Sequence, residues 1–117
     1  MKTPPPDPAE TAEINPREAA EWLAGDEPPL LIDCREPSEH DICRIDGSEL
    51  VPLNFFAAQA PLRINDAAQP VIVYCHHGIR SMRAVHWLRG KGFRQAFSMR
   101  GGIEAWALDV DPSLARY

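Results

Sequence analysis

Residues Cys75 to Ser81, Cys-His-His-Gly-Ile-Arg-Ser, gather a thiol, two imidazoles, a guanidinium and a hydroxyl within seven positions. They follow "PVIVY", an apolar β-branched run that suits a buried strand. A cysteine at the end of such a strand is well placed for chemistry, because open α/β sheets collect ligands outside the carboxyl ends of their strands. Gly78 supplies the freedom to turn tightly there and enter a helix. The amides of His76, His77, Gly78, Ile79, Arg80 and Ser81 are then expected to converge on the hollow. Convergent N–H groups and a helix N-terminus stabilise negative charge, so a thiol at their focus ionises below its ordinary pKa. Arg80 adds positive charge at the rim, and Ser81 caps the helix or donates to the sulfur.

The pattern therefore points to Cys75 as a thiolate nucleophile. Cysteine is also a common packing residue, but packing does not explain a glycine three residues on, followed by Arg-Ser and a strong helix. Zinc is not expected: Cys75, His76 and His77 are adjacent on a tight turn, point in different directions, and cannot share one tetrahedral ion.

The elements that must hold this loop are legible on either side. "INPREAAEWLAG" reads as a helix with Asn15 as N-cap, Pro16 in its first turn and Gly25 as stop. "PLLIDC", residues 29–34, suits a buried parallel strand that carries Asp33 at its carboxyl end. "EPSEHDI" reads as a short helical turn. "SELVPL" reads as a short strand at an edge or ending at Pro52. A helix is expected over 55–62 with Phe55, Phe56 and Leu62 facing inward. Ser81, Ala84, Val85 and Leu88 fall at helical spacing after the loop, "QAFSM" offers a last strand, and "GGIEAW" a glycine turn into a final helical turn. Strands alternating with helices imply an α/β fold with a mainly parallel sheet. The opening "TPPPDP" suits neither helix nor interior strand, so residues 1–11 are expected to form a flexible proline-rich arm and residues 12–117 the domain.

At 117 residues, 44% hydrophobic and 25% charged, the chain has the size and composition of one globular domain. No apolar stretch approaches the length of a membrane span. The N-terminus holds a single lysine and no apolar signal-like segment, and the three cysteines are an odd count at irregular spacing; both features favour the cytoplasm and free thiols. A net charge of −5 gives no reason to expect nucleic acid or an anionic membrane as partner. Within that balance, residues 71–100 carry six basic side chains and no acidic one, whereas residues 1–50 carry thirteen of the seventeen carboxylates. A basic segment beginning at the Cys75 loop suits a small anionic ligand as well as it suits a solvated helix face.

"CHHGIRS" resembles the active-site loop of the rhodanese family of sulfurtransferases, in which a cysteine opens a six-residue loop with glycine at the fourth place, here Cys75 to Arg80. "LLIDCREPSEH" is similar to the family's Asp-x-Arg segment, "DICRIDGSELVPL" to its His-Ile-x-Gly-Ala-x-x-Ile-Pro region, and "MRGGIEAW" to its Gly-Gly-x-x-x-Trp segment. "VDPSLARY" resembles the tail of many single-domain members. The resemblance covers nearly everything from Ile14 onward. It implies a three-layer sandwich with a mainly parallel sheet of about five strands and helices on both faces. It also implies a Cys75 thiolate that takes the sulfane sulfur of a small anionic donor such as thiosulfate, holds it as a persulfide, and yields it to cyanide, a small thiol or a protein thiol. Covalent catalysis in two half-reactions follows, with no metal or organic cofactor.

Two departures concern substrate preference. Family members often carry arginine after the cysteine, where this chain has His76, and the Cys43 segment has Cys-Arg and Ser48 where other residues are usual. Asp33 and Arg35 read as a structural ion pair, Cys34 as core, and Cys43 as a packed cysteine with a resolving thiol as the alternative. Trp22, Trp87 and Trp106 read as core or shell aromatics. Two other functions use similar parts. Cysteine-dependent phosphatases and arsenate reductases place five residues between Cys and Arg, where this loop has four, a smaller ring that favours a single sulfur atom. Rhodanese-like docking or regulatory modules commonly lose the cysteine, which this chain keeps.

Overall fold

The computed structural model describes residues 4–117. Five strands form one sheet in the order β1-β5-β4-β2-β3, with every pairing parallel. They are β1 (Glu13–Ile14), β2 (Leu30–Asp33), β3 (Glu49–Leu50), β4 (Val71–Tyr74) and β5 (Ala96–Met99). Four helices connect them, α1 (Pro16–Leu23), α2 (Pro37–Ile42), α3 (Phe56–Arg63) and α4 (Ile79–Gly90), and α5 (Gly102–Asp109) follows the last strand. The expected α/β sandwich, with helices on both faces of a parallel sheet, is the architecture found.

Side chains of the central strands alternate between two apolar clusters, as the period of a strand requires. On one face Ile32, Cys34, Val71, Val73 and Cys75 pack with Phe56, Ala60, Ala84, Val85 and Leu88, from α3 and α4. On the other, Leu31, Ile72, Tyr74 and Phe97 pack with Ala19, Ile103 and Trp106, from α1 and α5. All four residues of β4 are fully buried, which is why that segment reads as a continuous apolar run rather than an alternating one. Trp22 meets Phe97 edge-on and Trp87 meets Phe56 in the same way, so both rings serve packing.

The helix starts follow from local chemistry. Asn15 accepts from the Glu18 amide while the Glu18 side chain accepts from the Asn15 amide, a reciprocal cap with Pro16 in the first turn. At α2 the Glu39 side chain accepts from the Glu36 amide at 2.9 Å, again with proline in the first turn.

Two expectations are corrected, and two features are added. Of Phe55, Phe56 and Leu62, only Phe56 faces inward; Phe55 is 56% exposed and Leu62 83%. A 3-10 turn over Leu53–Phe55 precedes the helix and rotates its register, so Ala60 takes the inward position instead. The "GGIEAW" segment continues well past one turn, to Asp109. A two-residue edge strand, β1, precedes α1; its length leaves no periodic signal to read. Within the expected arm, Arg89 donates to the carbonyls of Pro8 and Thr11, so the stretch from Asp7, which turns back on itself, is fastened to the domain. Residues 1–3 of that arm lie outside the described residues.

Candidate active site

Cys75 follows the last residue of β4, with the loop His76–Gly78 and the N-terminus of α4 wrapped around its sulfur. The Gly78 amide donates to Sγ at 3.0 Å and the Ser81 amide at 3.3 Å, while Ser81 Oγ lies 3.4 Å away. Ser81 Oγ also lies 2.7 Å from Ser98 Oγ, on β5. With Cys75 as an anion, the Ser81 hydroxyl donates to the sulfur and accepts from Ser98. Of the six amides expected to converge, these two make the bonds.

Gly78 adopts φ +105°, a conformation that L side chains rarely reach, and this sends the chain from the strand into α4 within three residues. What turns the amides inward is visible behind the loop. The carbonyls of Cys75 and His76 point away from the sulfur and accept from the amides of Ile103 and Glu104, at 2.9 and 3.2 Å. The first turn of α5 thus satisfies the loop's oxygens and leaves its N–H groups to the thiol. Gly102 makes this approach possible: a Cβ there would sit 2.5 Å from the Cys75 oxygen.

The surroundings pull the Cys75 thiol down to about 4 from an ordinary value near 9. The largest influence is the Cys34 thiol beside it. Burial opposes ionisation, and the Ser81 hydroxyl and the Ser81 and Gly78 amides then favour it. Cys34 is pushed the opposite way, first by its interaction with Cys75 and then by burial, so one sulfur of the pair is anionic and the other protonated.

The expected partner Arg80 is committed elsewhere. It forms a bidentate pair with Glu39 at 2.7 and 2.9 Å, and this holds Glu39 at about 2. Arg80 therefore ties the start of α4 to α2 and adds only a field at the sulfur. His76 stacks between His77, at 3.8 Å, and Tyr117, at 4.0 Å. Burial first and the charge of His77 second lower the His76 pKa, so its ring is neutral at neutral pH. Ile79 is 75% exposed beside the loop. His77, Gly78, Ile79, Met82 and His86 line an open groove of about 440 Å³ there.

Asp33 and Arg35 form the ion pair expected of them, and it is fully buried. Arg35 donates through Nε and Nη2 to Asp33 at 2.9 and 2.7 Å, and through Nη2 to the Cys43 carbonyl at 2.6 Å. His40 Nδ1 lies 2.8 Å from the same carboxylate. Arg35 also donates to the Tyr117 hydroxyl, which donates onward to Glu39, each at 2.8 Å. This chain of bonds joins the end of β2 to the rim of the Cys75 loop. Cys43 packs in the cluster on the opposite face from Cys75, with Arg35 Nη1 3.9 Å from its sulfur, so it is a packed cysteine. Ser48 bonds the Tyr74 hydroxyl at 2.9 Å, a packing role distant from the thiol.

A rhodanese-like domain model matches residues 15–109, the span that holds every group described above except Tyr117. The chain belongs to the rhodanese-like family. Among relatives of this rhodanese-like chain, the probable adenylyltransferase/sulfurtransferase MoeZ of Mycobacterium tuberculosis is 35% identical over 93% of this chain and 28% of its own length. Adenylyltransferase and sulfurtransferase MOCS3-1 of Zea mays is 36% identical over 92% of this chain and 24% of its own. The tRNA uridine(34) hydroxylase of Protochlamydia amoebophila is 32% identical over 81% and 32%. The chain thus spans less than a third of these curated relatives. A solved rhodanese-related protein from Thermoplasma volcanium is 26% identical, with a TM-score of 0.73 over 84% of this chain and 92% of its own. The human single-domain sulfurtransferase TSTD1 shares the fold at 20% identity, with a TM-score of 0.74 over 85% and 97%.

Sequence reasoning missed four members of this rhodanese-like site. Ser98 is a polar residue within an apolar strand, a signal that was present. Glu39 and Tyr117 carried none, because their partners lie 41 and 78 residues away along the chain. Cys34 was assigned to the core; it is buried there, and it is also the neighbour of the nucleophile.

Proposed function

We propose that this domain is a sulfurtransferase that works through a Cys75 persulfide. The Cys75 thiolate attacks the outer sulfur of thiosulfate, the S–S bond of the donor breaks, and sulfite leaves with the electron pair. The new persulfide anion then gives its outer sulfur to a nucleophilic acceptor such as cyanide, a small thiol or a protein thiol, and the thiolate is restored. The observation that carries this reading is a buried sulfur bonded by two main-chain amides and a hydroxyl, with no cation paired to it among the described residues. Donors of this kind stabilise a thiolate before the reaction and a persulfide anion after it.

Two features oppose phosphatase chemistry. Arg80, which would have to grip a tetrahedral oxyanion, is bidentate to Glu39, and the residue bearing the sulfur is only 1% exposed. A hollow of that kind suits one sulfur atom. The relatives named as sulfurtransferases support the class of reaction, and the retained cysteine favours an enzyme over a docking module. Incubation with thiosulfate followed by intact-mass analysis tests the reading: one added sulfur on Cys75, with one equivalent of sulfite, is expected. Absence of both would leave only a binding module.

A further inference from the structure

β2 and β4 pair in parallel with Asp33 opposite Tyr74, and the Cys34 amide donates to the Tyr74 carbonyl at 3.0 Å. The next step along the same ladder sets Cys34 beside Cys75. Both side chains enter the same apolar cluster, and each residue is 1% exposed. Neighbouring strands lie about 4.8 Å apart, and that separation falls inside the Cα spacing, roughly 4.4–6.8 Å, usual for disulfide-bonded cysteines. The two sulfurs are free in the structure.

We propose that Cys34 is a resolving thiol for the Cys75 persulfide, so that the site also releases sulfane sulfur as sulfide. The inference rests on the persulfide reading above. In the step, Cys34 Sγ bonds to Cys75 Sγ and the bond from Cys75 Sγ to the outer sulfur breaks. The outer sulfur leaves with that electron pair, takes the Cys34 proton and departs as hydrosulfide. Cys34 is oxidised to a disulfide with Cys75, and the sulfane sulfur is reduced. Two equivalents of an external thiol reopen the disulfide by exchange.

The electrostatics of the pair support this order of events. While Cys75 is anionic, its proximity keeps Cys34 protonated and unreactive. Once Cys75 Sγ is bonded to a second sulfur, the charge moves to the outer atom, one bond further away, and the restraint on Cys34 weakens. Cys43 has no comparable place, because its side chain lies on the other face of the sheet.

The test uses the full chain, fully reduced, with thiosulfate as the only probe and with neither acceptor nor added thiol. Wild type is expected to release one equivalent of sulfite, gain one sulfur, then release one equivalent of sulfide. It should end two hydrogens lighter, with Cys34 and Cys75 joined in a single cross-linked peptide. In Cys34→Ser, the persulfide, once formed, should persist, with sulfide release at least roughly tenfold slower. A wild-type persulfide that persists without sulfide overturns the proposal and leaves the transfer reading intact. Sulfide release from Cys34→Ser at the wild-type rate does the same. Failure of wild type to release sulfite or gain sulfur removes the transfer reading, and this proposal with it. Should Cys34→Ser not fold, the wild-type sulfide yield and cross-link decide alone.

Discussion

Two polar sites stand at the carboxyl ends of adjacent strands, and they treat charge in opposite ways. At the end of β2, Asp33 is buried against Arg35 and His40, so each charged side chain meets a side-chain partner and the node is closed. At the end of β4, the Cys75 sulfur is held by two amides and a hydroxyl, partial charges that stabilise an anion without neutralising it. Side-chain pairing fixes geometry; main-chain donors leave a nucleophile. The difference arises from position. Asp33 meets the Arg35 side chain, which lies against Cys43 and Tyr74 on one face of the sheet, whereas Cys75 faces α4 on the other, whose first turn presents unpaired amides.

The comparison can be broken or sharpened by substitution. The largest effect is expected at Cys75: Cys75→Ser should lower sulfite release from thiosulfate on the order of 10³-fold or more, with the circular dichroism of a folded domain. A depressed thiol pKa also has a linkage consequence. The stability it contributes is present in full above the unfolded value near 9 and is lost as pH falls through about 4. Stability measured against pH should rise between those limits in wild type and lose that slope in Cys75→Ser. The second effect belongs to the closed node. Asp33→Asn strands a buried guanidinium and should cost about 3–5 kcal/mol in chemical denaturation, with Cys75 still titrating in acid in whatever fraction stays folded.

Smaller effects should separate the sites further. Ser81→Ala removes one donor from the sulfur while the amides remain; it should raise the Cys75 pKa and slow sulfur uptake roughly tenfold, read by stopped-flow sulfite release. Tyr117→Phe removes the hydroxyl bridge between Arg35 and Glu39, and a loss of about 1 kcal/mol in thermal or denaturant unfolding is expected. An equal loss of sulfur uptake in Tyr117→Phe and Ser81→Ala would show that the two sites act as one.

Much of this was legible in the sequence, for identifiable reasons. The apolar run of β4, the glycine of the loop and the inward stripe of Ser81, Ala84, Val85 and Leu88 are local signals, and each residue of that stripe is buried as its spacing requires. The Asp33–Arg35 pair was legible because two residues of separation keep both groups at one strand end. The inward face of α3 was misread because the 3-10 turn before it shifts the phase, which periodicity alone cannot reveal. Cys34 lies in the core as expected, but its place beside the nucleophile was not legible, for a different reason. Which cysteine lies beside Cys75 is decided by strand register, and a register between strands some forty residues apart is written in the pairing of the sheet rather than in either segment.

The most direct test of a sulfur anion held by the donors around it is the pH dependence of Cys75 alkylation by iodoacetamide, followed at that residue by peptide mass spectrometry. The structure predicts a rate that is flat through neutral pH and falls only in acid, with a midpoint near 4. A rate that climbs through pH 8 to 9, at about the ordinary thiol value, would contradict it.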